Sequence, residues 1–464
     1  MIFESFEAPG LSQYSYIVGD AGTIAVIDPK RDIDTYLQFA DRKGLRIAYV
    51  LETHIHADFA SGARELAAAS GAELCLSSYD KGETYVYRFE HRALKDGDEL
   101  PLGAYSLRVL HTPGHTPEHI SLLLVEPGRS AEPLAMFSGD FLFIGSVGRP
   151  DLLGEDEKLK LAGALHNSIG LLKNLPDGML LYPGHGAGSL CGAGMAQRQE
   201  STLGYERQTN PFLQIEDKDA FVKQVLGSVP EFPDYYRRMK QVNSAGPEIL
   251  NGIPGAKHLP LREFQAVAKE KDAVLVDLRR QEAFGGAHIP GSLNVGLAPN
   301  LSSWAAWVLP YDRPILLIGD AQTNLEEARR ALIRVGLDSI LGSLRGGIGA
   351  WLESGSKQAH IPQISVQELR EVLNSPQSAV VLDVRSPGEW KSGHVEGAMH
   401  IPGGELPKRL NDLPAEKPVY IICGSGYRSS IASSILERAG RRHVTNVNGG
   451  MTAWNNQKYP VAKG

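Results

Sequence analysis

Cysteine is scarce in this chain: Cys75, Cys191 and Cys423 are the only three among 464 residues, and they lie far apart. Thiols so separated make no disulfide framework, which excludes the cross-linked secreted class and suggests a reducing compartment. Basic charge is not in excess either. The 47 Lys and Arg face 54 Asp and Glu for a formal charge of −7, without a Lys/Arg stripe, so no nucleic-acid surface is expected. Long apolar runs are missing, and none approaches the roughly 20 residues a membrane span needs. Residues 1–7 carry acidic side chains instead of the basic and apolar stretches of a signal peptide. These absences lead to the expectation of a cytoplasmic protein with no membrane association. What is present, 42% hydrophobic and 22% charged residues, is the balance of a soluble globular chain. Its length exceeds one ordinary core, so roughly two to four domains are expected.

An internal repeat sets the domain map of the second half. Val274-Leu275-Val276-Asp277-Leu278-Arg279 is echoed by Val380-Val381-Leu382-Asp383-Val384-Arg385, and His288-Ile289-Pro290-Gly291 by His394-Val395-Glu396-Gly397. Pro314 and its apolar run match Pro418 and its run, and Gly346-Gly347 with Trp351 match Gly449-Gly450 with Trp454. A period of about 105 residues is too long for a solenoid and suits a duplicated domain. Short β-branched runs alternate with helical stretches at 325–335 and 429–439, which implies parallel sheets covered by helices.

In the first half, four strand-like segments each run into metal-binding residue types. Residues 46–51 lead to Thr53-His54-Ile55-His56-Ala57-Asp58, and residues 105–110 to His111-Thr112-Pro113-Gly114-His115. Residues 133–137 lead to Ser138-Gly139-Asp140, and residues 179–181 to Tyr182-Pro183-Gly184-His185. Strands that stop this way gather ligands at one sheet edge, and imidazole with carboxylate suits a divalent first-row metal. A helix is expected over 61–69, ended by Gly71. Residues 209–236, with Pro211, Pro230 and Pro233, read as helices and turns closing this domain. Residues 245–255 read as a linker, and 354–362 as the join between the repeats.

In order and context these motifs resemble the metallo-β-lactamase superfamily over roughly residues 1–250. The stretch 139–152, GDFLFIGSVGRPDL, is similar to the persulfide dioxygenase branch, whose members oxidise the outer sulfur of a thiol persulfide with one Fe(II). The resemblance implies one Fe(II) per chain, with zinc as an alternative occupant on isolation, held by His54, His115 and Asp140. Such a two-His, one-carboxylate set leaves positions open for O₂ and a sulfur substrate. His56, Asp58 and His185 are then either further ligands or groups that orient ligands and water. One departure stands out: dinuclear hydrolases of the superfamily place a metal-binding His after the Asp of H-x-H-x-D, where this chain has Phe59. The second site keeps at most Asp58, His185 and a share of Asp140, which weakens a two-metal mechanism.

His111 and His119 read as local hydrogen-bonding residues and Cys75 as a core strand residue. Arg149 either pairs with Asp151 to shape its loop, the preferred reading, or meets a carboxylate or phosphate of the thiol carrier. Cys191 either faces the site as a persulfide acceptor or redox-sensitive thiol, or packs as a small hydrophobe.

Cys423-Gly424-Ser425-Gly426-Tyr427-Arg428 lies between a strand and a helix. Backbone N–H groups wrapped around a sulfur at a helix N-terminus stabilise negative charge on it, and Arg428 adds a positive charge at the rim. The loop, with Asp383-x-Arg385 and the Gly393–Ala398 segment, resembles the rhodanese family over residues 360–461. In the first repeat Gly319 falls where Cys423 stands, followed by Asp320, which opposes anion binding. That repeat resembles an inactive rhodanese domain.

The combined expectation is an α/β multidomain chain. A metallo-β-lactamase αββα sandwich fills residues 1–250. Two rhodanese-like parallel-sheet domains follow at 256–355, inactive, and 360–464, active. The resemblances imply a persulfide dioxygenase fused to a sulfurtransferase, with a low-molecular-weight thiol persulfide, O₂ and sulfite as reactants. Thiosulfate would form at Cys423, in a sulfide-detoxifying role, and a homo-oligomer is expected. The rivals are a dinuclear-zinc thioester hydrolase resembling glyoxalase II, and a sulfur-carrier or scaffold protein with a structural metal.

Overall fold

The computed structural model describes residues 1–229, 232–375 and 379–463. Pro230 in the segment expected to close the first domain, and Gly464 at the end of the third, lie outside the described residues. The chain forms two compact units: Met1–Ile253 with Ile333–Gly336, and Pro254–Leu332 with Leu337–Gly464.

In the first unit the strand Ile120–Val125 shows how the layers arise. It is apolar almost throughout and wholly buried. Alternate side chains point to opposite faces, so Ile120, Leu122 and Leu124 enter one cluster while Leu123 enters another. A strand covered on both faces needs such a continuous apolar run. The first cluster lies between two six-stranded sheets, joining Tyr16, Val18 and Leu51 of one to Leu107, Leu122 and Phe137 of the other. Helices Asp34–Lys43 and Ala63–Ser70 bury Tyr36, Phe39 and Leu66 against the outer face of the first sheet. Helices Glu155–Leu171 and Lys218–Ser228 bury Leu165, Phe221 and Val225 against the second. Each such side chain contributes about 1.5–3 kcal/mol by leaving water. The result is an αββα sandwich. Helix Ala63–Ser70 starts two residues later than the sequence suggests, because Ser61 Oγ accepts from Ala63 N (2.9 Å) in a preceding turn. It ends at Gly71, whose φ of 70° suits glycine.

The second unit holds two five-stranded sheets with the same parallel order. In the first, strand Ile315–Ile318 is buried throughout and pairs with Val274–Asp277 so that Asp277 lies opposite Ile318. In the second, Val419–Ile422 pairs with Val380–Asp383 so that Asp383 lies opposite Ile422. Each Asp closes its strand by clamping an Arg two residues on: Arg279 Nη2 lies 2.6 Å from Asp277 and Arg385 Nη2 2.7 Å from Asp383. The residue after each central strand is therefore Gly319 in one repeat and Cys423 in the other. Both carbonyls accept from the same helix start, Ile348 N at 2.9 Å and Met451 N at 2.7 Å. Among the described residues no helix is long and apolar enough to cross a membrane.

Candidate metal centre and sulfur loop

Sheet edges deliver the expected ligand types to one place. Strand Arg46–Leu51 leads to His54, Tyr105–His111 to His115, and Pro133–Gly139 to Asp140, and all three side chains are buried. Asp140 Oδ2 lies 3.7 Å from His54 Nε2 and 3.5 Å from His115 Nε2. Those three atoms are buried and have no hydrogen-bond partner. Leaving three polar atoms orphaned together is costly unless something binds them. Two donors each about 2.1 Å from a shared ion lie roughly 3.0–3.4 Å apart, so the observed spacing fits one cation with slight contraction.

The tautomers are fixed from behind. Thr53 Oγ1 donates to Asp28 Oδ2 (2.9 Å), so His54 Nδ1 donates to that hydroxyl (2.9 Å) and Nε2 keeps its lone pair. His115 Nδ1 donates to Arg149 O at 2.9 Å, with the same consequence. Burial pushes the pKa of His54 and His115 well down, and neighbouring positive charges push the same way. Both rings are held neutral, the form a metal binds. Gly184 is needed here because a methyl group on it would lie 2.6 Å from Asp140 Oδ1.

His185 Nδ1 lies 2.7 Å from Asp140 Oδ1 and its Nε2 2.8 Å from Asp58 Oδ2. Burial alone would lower its pKa, yet Asp140 and Asp58 outweigh burial and raise it well above the ordinary value. His56 Nε2 meets Asp28 Oδ1 at 3.1 Å, outside the first group. Cys191 is buried, and its sulfur forms a second cluster of ligand atoms with Asp58 and His185, all within 4.8 Å of one another. This corrects the sequence reading that the second position keeps only Asp58, His185 and part of Asp140. The loop after His185 folds back and offers a thiol. Burial, then Asp58 and Asp140, push the Cys191 thiol pKa well up.

Arg149 is fully buried and pairs with Asp151 at 2.7 and 2.8 Å while donating to Leu190 O at 2.8 Å. It therefore ties the carbonyl that orients His115 to the loop carrying Cys191. His111 bonds Pro117 O (3.0 Å), and His119 bonds Thr112 Oγ1 (2.9 Å) and Asp140 N (3.0 Å). Cys75 is a buried strand residue.

Sequence reasoning missed three contributors. Asp28 ends strand Thr23–Ile27 at a φ of 50° and gathers Thr53 N, Thr53 Oγ1 and His56. The strand-ending rule that picked out the other acids would have found it. Lys240 and Asn243, on helix Tyr235–Ala245, are buried and brace the ligand loop from below. Lys240 Nζ donates to Ile55 O (2.9 Å), and Asn243 Nδ2 to His56 O (2.8 Å) and Phe59 O (2.7 Å). They lie more than 180 positions away in sequence, as |i−j| of 185 and 187 show, and no local motif marks them.

In the second unit Cys423 is buried in the turn before helix Tyr427–Arg438. Gly426 N donates to its sulfur at 3.1 Å, and Ser429 Oγ lies 3.3 Å away. Arg428 is paired through both terminal nitrogens with Glu389, at 2.6 and 2.7 Å. Its charge at the rim is thus held in place by a partner that sequence reading did not single out. At the matching place in the first repeat, Asp320 accepts from Thr323 Oγ1 (2.9 Å).

Comparison with known proteins fits this division. The metallo-beta-lactamase superfamily matches residues 8–185, and the rhodanese-like domain matches twice, over 260–354 and 365–457. A protein of Burkholderia pseudomallei (strain 1710b) named "Probable metallo-hydrolase" is 33% identical over 218 residues, covering 40% of this chain and 72% of that one. A Bacillus subtilis (strain 168) protein named "Putative sulfur carrier protein" is 39% identical over 101 residues, 22% of this chain and only 55% of that relative. The solved structure of a metallo-beta-lactamase from Staphylococcus aureus subsp. aureus COL superposes with a TM-score of 0.66 at 36% identity, covering 74% of this chain and 98% of that one.

Proposed function

We propose, from the premise that the chain belongs to the metallo-β-lactamase superfamily and carries two rhodanese-like domains behind that fold, that it is a persulfide dioxygenase coupled to a sulfurtransferase. The observation that carries this reading is the buried group His54, His115 and Asp140 with its three orphaned atoms. Two neutral imidazoles and one carboxylate suit Fe(II), which when bound would supply the O₂ chemistry that side chains lack. In balance, RSSH with one O₂ and one water gives RSH, sulfite and two protons.

The chain's own residues position and exclude. Thr53 with Asp28, and the Arg149 carbonyl, aim the two imidazoles. His185 donates to Asp140 Oδ1 and leaves Oδ2 for the cation. Buried Phe59, its ring centroid 4.4 Å from that of His56, offers no ligand where a dinuclear hydrolase places a metal-binding His. Cys423 would carry sulfane sulfur as a persulfide. Sulfite attacks the outer sulfur, the Cys423 S–S bond breaks, a new S–S bond forms thiosulfate, and Cys423 leaves as thiolate. Arg428, fixed by Glu389, would attract the anionic acceptor. The first repeat, with Gly319 in place of the nucleophile, would act without sulfur transfer of its own. The proposed domains remain 1–250, 256–355 and 360–464, and the setting the cytoplasm.

The test is metal analysis of anaerobically purified protein together with O₂ uptake on several low-molecular-weight persulfides. One iron per chain and persulfide-dependent uptake are expected. A second reading, a dinuclear-zinc thioester hydrolase, is favoured by the Asp58, His185 and Cys191 cluster. It predicts two zinc ions per chain, thioester hydrolysis and no persulfide-dependent O₂ uptake, and that result would replace the first reading.

A further inference from the structure

The two repeats share a plan, and three side-chain differences between them accompany a cavity. Trp351 Nε1 donates to Lys357 O at 2.9 Å, and Trp454 Nε1 to Pro460 O at 2.9 Å, so Ser356 and Tyr459 hold equivalent positions. Ala359 and Ala462, bridged to His288 and His394, each follow two residues after the carbonyl that the Trp bonds. In the second repeat the Tyr459 ring covers Trp454, with centroids 5.1 Å apart, and Arg370 lies 4.4 Å over Tyr459. The first repeat has Ser356 in place of that tyrosine. Counting from the positions before helices Leu261–Glu270 and Val366–Leu373, it also has Gln265 for Arg370 and Ala268 for Leu373. Its Trp351 is left half-buried as the wall of a cavity of about 460 Å³, within the size range of small-molecule sites.

The lining is chemically one-sided. Leu275 joins Trp351 as apolar wall over the buried Phe264 and Ile289, and among the described residues no acidic side chain lines the cavity. Lys269, Arg313, Lys357 and Arg438 supply the charge. Arg313 is steadied by Asp272, donating to its carboxylate at 2.6 Å and its carbonyl at 2.7 Å. Arg438 ends the helix that starts at the sulfur loop, and its Nη1 is buried with no hydrogen-bond partner. Burial, then the charge of Arg313, push its pKa down from the ordinary range. A buried guanidinium nitrogen without a hydrogen-bond partner, beside a second arginine, has the donor chemistry that suits an anion.

We propose that the cavity between the first repeat and the Arg438 end of the second repeat's helix binds an organic phosphate with an apolar body, the body against Trp351 and Leu275 and the phosphate on Arg438 and Arg313. Phosphate matches the guanidinium fork and the excess of cations, and the apolar walls ask for more than a free ion. On this view the repeat without a sulfur nucleophile shares a ligand site with its active neighbour. This is independent of which metal the first unit holds.

The test is isothermal titration of the full chain with 1-naphthyl phosphate, inorganic phosphate and 1-naphthol. One site per chain is expected, at least about tenfold tighter for naphthyl phosphate than for either fragment. Arg438→Gln should weaken binding by about tenfold or more. Ser356→Tyr with Ala268→Leu, which restores the second repeat's side chains, should abolish it while the melting temperature and sulfur loading of Cys423 stay unchanged. Absence of binding, equal affinity for inorganic phosphate, or affinity unchanged in Arg438→Gln would each overturn the proposal. The last variant keeps the test decisive if the double variant fails to fold.

Discussion

At the metal centre, His54, His115 and Asp140 come from the ends of three strands, and their supports come from as far as helix Tyr235–Ala245. At the sulfur loop, both groups touching Cys423 Sγ lie within six residues of it, Gly426 at |i−j| of 3 and Ser429 at 6. The metal centre is a tertiary product of side chains, whereas the sulfur loop is local backbone at a helix start. A site assembled from distant parts fails when any support moves. A local one depends on its own few residues and on the strand and helix that frame it, with one distant prop at the rim, Glu389 on Arg428.

The sharpest way to break the comparison is to remove one member of each site. His115→Ala should empty the metal centre, a loss beyond the about 10–100-fold that supporting residues give, and should abolish O₂ uptake. Metal analysis reads this directly, with sulfur loading at Cys423 as the control. Retained metal would mean that the group is misassigned. Cys423→Ser should abolish thiosulfate formation and leave persulfide-dependent O₂ uptake largely intact. If uptake also falls in folded, iron-loaded protein, the two sites are not independent.

Next in size is Arg334. Residues Ile333–Gly336 belong to the first compact unit, where Arg334 Nη2 lies 2.7 Å from the buried Asp32 Oδ2. Burial would raise the Asp32 pKa, but Arg334 outweighs it and lowers the value. Breaking such a buried pair costs about 3–5 kcal/mol. Arg334→Ala should therefore destabilise the first unit in thermal unfolding. Deleting residues 256–355, with a flexible linker of comparable reach, should impair stability and coupled thiosulfate yield together. Unchanged stability and yield in that deletion would make the repeat a passive spacer.

The supports of the metal centre test its distributed character more gently. Asp28→Asn alters the carboxylate that fixes Thr53 and, through it, the His54 tautomer. Metal affinity should fall about 10–100-fold, measured by chelator competition. An unchanged affinity would show that His54 is oriented by its strand alone.

How much could be read from the sequence follows the same division. Cys423, Asp383 with Arg385 and the duplicated strands are legible because their chemistry is local, and the repeats carry the same motifs at matched spacing. The strand-ending residues were legible because a strand that stops at an ion-binding side chain leaves a short motif. Lys240, Asn243 and Glu389 were not, since each acts on a partner tens to hundreds of positions away. Which of its two readings Cys191 takes was left undecided, because glycines on either side of it permit several paths for that loop. Phe59 was legible as an absence of a ligand, and a thiol facing the site was one of the two readings of Cys191; that its sulfur joins Asp58 and His185 was not legible.

The smallest expected effect concerns Glu389, the support of the sulfur loop. It completes a capping box with Ser386 at the start of helix Pro387–Ser392 and receives both Arg428 bonds. Burial would raise its pKa, but the bonds and charge of Arg428, with help from Ser386, outweigh burial and hold it at about 2, against 4.5 for an ordinary glutamate. A depressed folded pKa means the stabilisation is fully present above pH 4.5 and is lost as pH falls toward about 2. The pair is partly exposed, with 39% of the Glu389 side chain accessible, so screening should keep the effect to about 1 kcal/mol or less. Glu389→Gln keeps the capping geometry and removes the charge. Denaturant melts of the two proteins should diverge at neutral pH and converge near pH 2. A constant gap between them at every pH would show that Glu389 acts through shape, and that Arg428 does not need its partner's charge to hold the rim of the loop.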